Sequence, residues 1–165
     1  MANSAEEKHI ISITVENKPG VLARISGLFS SRGFNIDSLA VGETDDPALS
    51  RMTIVAKGDE ATLEQIRKQL GKIIDVVKLQ DFSGEDYVER DLALLKVNAP
   101  PAKRGEILQI VEVFRGKVVD VGQRHLMIEL SGPEAKIEAM ITLMRPYGLK
   151  ELARTGRIAM LRGVK

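Results

Sequence analysis

Along this chain the hydrophobic period switches between two and about 3.6 residues in the order strand, helix, strand, strand, helix, strand, and then repeats that order. Ile11, Ile13 and Val15 alternate with Ser12, Thr14 and Glu16, the pattern of a half-buried strand. Pro19 suits the first turn of a helix, where its missing N–H costs nothing, and Val21, Leu22, Ile25, Leu28 and Phe29 mark one apolar helix face. Gly33 fits the left-handed residue that closes such a helix. Residues 34–41 read as a second strand and ETDDPALS (43–50) as a polar turn, with Met52, Ile54 and Ala56 alternating along a third strand. A helix opening at Gly58-Asp59 turns Leu63, Ile66 and Leu70 inward and closes at Gly71, and 73–82 read as a fourth strand.

After SGED (83–86) the series restarts. A strand over 92–99 is followed by Pro100-Pro101 and a helix carrying Ile107, Ile110, Val111 and Phe114. The strands KVVDV and LMIEL follow, then a helix carrying Ile137, Met140, Ile141 and Met144, then an extended tail. RGFNID (32–37) aligns with RGKVVD (115–120), which reads as an internal duplication. The expected fold is α+β, with tandem ferredoxin-like βαββαβ units over 8–82 and 91–165 and a linker over 83–90. Such sheets have exposed edges that must be covered or paired, so an oligomer is expected.

Composition excludes several chemistries. With no cysteine in 165 residues, disulfides, thiolate catalysis and zinc–sulfur sites are ruled out. The net charge is +1, and the first 82 residues carry 10 basic and 12 acidic groups against 14 and 11 in the remainder, so no half is built to attract a polyanion. No apolar run approaches a membrane span and the polar start MANSAEEKH is unlike a signal peptide, which predicts a cytoplasmic protein without membrane association. The histidines, His9 and His125, lack an acidic or hydroxyl partner at motif spacing, and Gly71-Lys72 and Gly116-Lys117 lack the rest of a phosphate-binding loop. No catalytic residue, metal site or cofactor site is predicted in this chain. An RNA-recognition domain shares the βαββαβ order, but it stacks bases on aromatics of its first and third strands, and HIISITV and SRMTIVA contain none. The tail's Arg154, Arg157, Arg162 and Lys165 read as a solvated strand face rather than a nucleic-acid contact.

The stretch ENKPGVL (16–22) carries the chemistry that remains. Pro19-Gly20 opens a helix N-terminus directly after the first strand, and its unpaired N–H groups favour a carboxylate. Gly20, without a Cβ, allows close approach to the backbone. Asn17 and Asn35 each offer a carbonyl to an ammonium and an NH₂ to a carboxylate, and Val21, Leu22, Phe34 and Ile36 around them are apolar. Together these groups suit a free α-amino acid with an aliphatic side chain. The same residues also read as punctuation, with Asn17 as a helix cap and Asn35 as a turn residue.

ENKPGVLARISGLFSSRGFNIDSL resembles the opening of an ACT domain, a small-molecule-binding regulatory module of amino-acid metabolism. With TDDPALSRMTIVAKGDE, LEQIRKQLGKIIDVVKL, VERDLALLKV and VFRGKVVDV, the resemblance extends from His9 to about Gly163 and is to the small, regulatory subunit of acetolactate synthase. It implies an N-terminal ACT domain for effector binding and dimerisation, followed by a second ACT-like, ferredoxin-like domain. It implies a non-catalytic subunit that activates a catalytic large subunit, which uses thiamine diphosphate, Mg²⁺ and FAD in branched-chain amino-acid biosynthesis, and that confers feedback inhibition by valine. It further implies homodimers paired through ACT domains. Valine would sit at their interface on Asn17, Gly20, Val21 and Leu22 of one chain and Asn35 and Ile36 of the other. At the RG alignment Val118 replaces Asn35, so the effector chemistry is expected in the first half alone. The alternative is a free-standing ACT-type amino-acid sensor acting on another enzyme or a transporter.

Overall fold

The computed structural model describes residues 7–163. Two compact units divide this chain, with boundaries after Val88 and after Ile158; Glu89–Ile158 is one unit and the flanking residues form the other.

The first unit contains β1 (Glu7–Glu16), α1 (Val21–Ser31), β2 (Ile36–Glu43), β3 (Leu49–Gly58), α2 (Glu60–Leu70) and β4 (Val76–Asp81). Its antiparallel sheet runs β2-β3-β1-β4. Period-two alternation sends Ile11, Ile13 and Val15 of β1 and Met52, Ile54 and Ala56 of β3 to one face, where Val21, Ile25 and Phe29 of α1 and Leu63, Ile66 and Leu70 of α2 cover them. Asp59 caps α2 by accepting the Thr62 N–H, and that hydrogen bond holds its carboxyl below the usual range. The opposite face is apolar at Ile10 and Val55, which are register partners, and it is closed by Phe82 and Ala159 with Tyr87 and Leu161. The Arg51 guanidinium holds this cover by donating to the Ala159 carbonyl at 3.0 Å and the Ser12 hydroxyl at 2.8 Å.

The second unit repeats the plan with β5 (Tyr87–Asn98), α3 (Pro101–Val113), β6 (Lys117–Val121), β7 (His125–Gly132), α4 (Glu134–Met144) and β8 (Leu149–Arg154), in the order β6-β7-β5-β8. Its core joins Ala93, Leu95 and Val97 of β5 and Leu126, Ile128 and Leu130 of β7 to Ile107 and Val111 of α3 and Ile137, Met140, Ile141 and Met144 of α4. Both units therefore have the ferredoxin-like architecture expected from the periodicity.

The boundaries differ from the expected ones in physical detail. Pro19 lies ahead of α1, which starts at Val21 because Gly20, at φ 85°, makes the turn into it. The second strand starts at Ile36, two residues late, and runs on through Glu43. Residues 87–90, read as linker, are already strand in β5. A last strand, β9 (Ile158–Leu161), follows the tail turn, and residues from Ala159 onward group with the first unit. Of the described tail arginines Arg154 and Arg162 are exposed, as expected, but Arg157 is buried, and all three meet carboxylates. Arg154 pairs with Asp91 and Glu138, the buried Arg157 with Glu89 and Glu134, and Arg162 with Asp86. Lys165 lies outside the described residues.

Ile54 and Ile128 are both fully buried, opposite Ile11 and Leu95 in their sheets. Truncating either to Ala should cost about 2–4 kcal/mol, through lost burial plus the residual cavity. Urea unfolding followed by circular dichroism measures the loss.

Candidate functional site

β1 ends at Glu16, and residues 17–20 carry the chain into α1. Gly20 takes a backbone conformation that costs an L side chain dearly, yet a Cβ at Gly20 would meet nothing within 4 Å. The requirement for glycine is thus conformational, and the space beside it is open. No side chain caps α1 and no acid lies in its first turn. The Val21 amide reaches the Lys18 carbonyl at 3.5 Å, while among the described residues the amides of Gly20, Leu22 and Ala23 bond to no backbone carbonyl. The positive end of the helix dipole therefore faces solvent with donors to spare, the arrangement that receives a carboxylate. Lys18 stands beside it, hydrogen-bonded to Glu16 at 2.7 Å, a contact that raises its pKa.

Asn17 does not cap the helix. Its Nδ2 donates to the Pro47 carbonyl at 3.0 Å and lies 3.4 Å from Glu43 Oε2, while its backbone N–H donates to the Ala48 carbonyl. The side chain thus pins the loop to the β2–β3 hairpin and keeps its carbonyl as an acceptor. Val21 is 2% exposed and belongs to the core beneath the loop, whereas Leu22, at 44%, faces outward. At the other end of α1, Asn35 is exposed and donates through Nδ2 to Asp37 Oδ1 at 3.0 Å, and Ile36 packs half-buried on the core.

One chain does not bring these six residues together. Asn17 is bonded to Ala48, beside the start of β3, and Ile36 pairs with Ala56 near its end. Eight residues of strand separate the two positions by about 26 Å. Asn17, Gly20 and Leu22 form one group and Asn35 with Ile36 another, at opposite ends of the sheet.

The second unit has no counterpart to the open loop. Pro100 and Pro101 remove two N–H groups where α3 begins. Arg104 Nη2 donates to the carbonyls of Ala99, Gly122 and Gln123 at 3.0, 2.7 and 3.0 Å, tying that loop to the β6–β7 hairpin. A groove of about 380 Å³ between α3 and α4 is walled by Ile110, Val113, Phe114 and Leu143, with Glu106 and Tyr147 hydrogen-bonded to each other at its rim. His9 is buried against the Gly58 carbonyl at 3.0 Å. His125 does have an acidic partner, Asp120 at 3.0 Å, which the hairpin folds back to it from five residues away. Among the described residues no three metal-ligating side chains converge, and no helix is long and apolar enough to cross a membrane.

Residues 11–78 match the family described as the AHAS small subunit-like ACT domain, and residues 90–163 the family described as the small subunit of acetolactate synthase. A probable acetolactate synthase small subunit of Archaeoglobus fulgidus is 55% identical over 96% of this chain and 99% of its own. The acetolactate synthase small subunit of Mycolicibacterium smegmatis is 50% identical over 94% of this chain and 91% of its own. The crystal structure of the small subunit from Thermotoga maritima superposes with a TM-score of 0.88 at 45% identity, covering 96% of this chain and 99% of that one.

Two glycines of the first unit should respond oppositely to alanine. Gly27 is helical with open space at its Cβ position, so Gly27→Ala should stabilise by about 1 kcal/mol. Gly20→Ala forces an L residue into the left-handed region and should destabilise by about 1–2 kcal/mol. Denaturant midpoints of the two variants read the signs directly.

Proposed function

The chain belongs to the family of acetolactate synthase small subunits, and from that premise we propose that it activates the catalytic large subunit and makes it answer to valine. As a regulatory subunit it works in complex with that large subunit. Catalysis, with thiamine diphosphate, Mg²⁺ and FAD, resides in the partner, and the complex operates in the cytoplasm.

The observation that carries the effector reading is the open N-terminus of α1 at Gly20, with Asn17 at that end of the chain's sheet and Asn35 at the other. The free amides receive the effector carboxylate, Leu22 and Ile36 receive an aliphatic side chain, and Asn17 and Asn35 contact the ammonium and carboxylate. Val21 supports this wall from the core. Because one chain holds the two groups of residues far apart, the complete site is made by two copies, the loop of one facing β2 of the other. The edge strand β2, bonded on one side to β3, is the element free to pair in such a dimer. Valine inhibits by preferring one arrangement of the paired domains, and tenfold inhibition needs about 1.4 kcal/mol of such preference.

Gly20→Asp places a carboxylate against the effector's own, and Asn35→Ala removes a polar contact; each should raise the valine concentration for half-inhibition at least about tenfold, since hydrogen bonds to charged groups are worth 1.5–3 kcal/mol. Mixing the two variants is the sharper test. A mixed dimer joins an intact loop from one chain to an intact Asn35 from the other, so about a quarter of all sites should regain valine binding after random exchange. Titration calorimetry of the mixture, against each variant alone, counts those sites. Recovery nowhere above the single variants would place the site within one chain or elsewhere.

A further inference from the structure

Asp37 is an exposed residue of the edge strand β2 whose side chain is nonetheless largely covered. The β2–β3 register shifts between Ile36 and Ser38, so Asp37 sits at a bulge, and its side chain is only 16% exposed. Its Oδ1 accepts from Asn35 Nδ2 at 3.0 Å, while its Oδ2 lies 3.4 Å from Lys57 Nζ and 3.6 Å from Lys8 Nζ. Lys8 and Lys57 are direct partners across the β1–β3 ladder, a like-charged pair that repels unless an anion lies between them. The carboxylate is therefore held from two sides.

We propose that Asp37 is a positioning residue of the effector site, fixing the side-chain amide of Asn35 so that its carbonyl accepts from the effector's ammonium group. This rests on the two-copy site described above. A carboxylate only accepts hydrogen bonds, so the amide must present its NH₂ to Asp37, and its Oδ1 then takes the other side. With the amide plane set in advance, the ammonium meets an acceptor that needs no reorientation. Asn35 thereby reads the ammonium, while the carboxylate falls to the α1 N-terminus of the other copy. The second unit lacks this device. Its edge strand β6 also shifts register, between Val118 and Asp120, but the residue at that bulge is Val119; Asp120, which aligns with Asp37, pairs with His125, and Val118 replaces Asn35.

A purely structural role, relief of the Lys8–Lys57 repulsion, predicts different behaviour, and Lys57→Met separates the two. The experiment titrates valine into the full chain complexed with its large subunit, for the unaltered protein, Asp37→Ala and Asp37→Ala/Lys57→Met. Asp37→Ala should bind valine about tenfold more weakly, the weight of one charge-assisted hydrogen bond. The double variant should recover thermal stability, because the repulsion is gone, and should stay about tenfold weak. Valine binding by Asp37→Ala equal to that of the unaltered protein, or binding restored in the double variant, overturns the positioning role while leaving the effector site standing. No saturable valine binding by the unaltered complex overturns the site itself, and the positioning role with it.

Discussion

An eleven-residue helix is about 16 Å long, and that length governs what the first unit can do. α1 runs back along the sheet from the end of β1 to the start of β2, so the residues before and after it are held at opposite ends of the same strands. Asn17 bonds to the β2–β3 hairpin, and Ile36, next to Asn35, pairs with the far end of β3. No side-chain movement within one chain closes that gap. The proposed site uses both asparagines and is therefore shared between copies, so that a ligand in it would report on how two copies are arranged. The same rigidity is what allows a small molecule to carry information, because packed sheet and helix transmit a change in orientation rather than absorbing it.

The two units show how one architecture is used with and without that chemistry. Their strand order is identical and their cores occupy equivalent strands and helices. The divergence lies in the loop between the first strand and the first helix. In the first unit Gly20 turns the chain and leaves helix amides open; in the second, two prolines remove N–H groups and Arg104 ties the loop down through three carbonyls. An anion has donors waiting at one and not at the other. The bulges of the edge strands diverge likewise, Asp37 in one and Val119 in the other.

Much of this was legible in the residues. Periodicity located seven of the nine strands and all four α-helices among the described residues, and left β8 and β9 as an extended tail, since apolar alternation and helical faces follow directly from which side of an element must be buried. Gly33 was recognisable as a helix end and has φ 69°. Asn17, Gly20 and Asn35 stood out as groups able to meet an amino acid, and the same residues read equally as a helix cap and turn punctuation. Long-range partners were not legible. His125 meets Asp120 only because the β6–β7 hairpin folds one onto the other, and the tail arginines find carboxylates on β5 and α4 that sequence spacing does not connect. Val21, which looks like a pocket residue beside Leu22, goes to the core because the helix turns it through the angle that separates neighbours on a 3.6-residue cycle.

Read without its fold, the chain already sets out the element order, the inward faces, the absence of thiol chemistry and the residues proposed to meet an amino acid. Those follow from side-chain chemistry and local period, which need no knowledge of distant neighbours. Folding alone places Asn17 and Asn35 at opposite ends of the sheet, sets Asp37 between two lysines and Asn35, and ties down the second unit's loop through Arg104. Each of these depends on register between strands far apart in the chain, and register is set by how whole faces pack, not by any short stretch of residues.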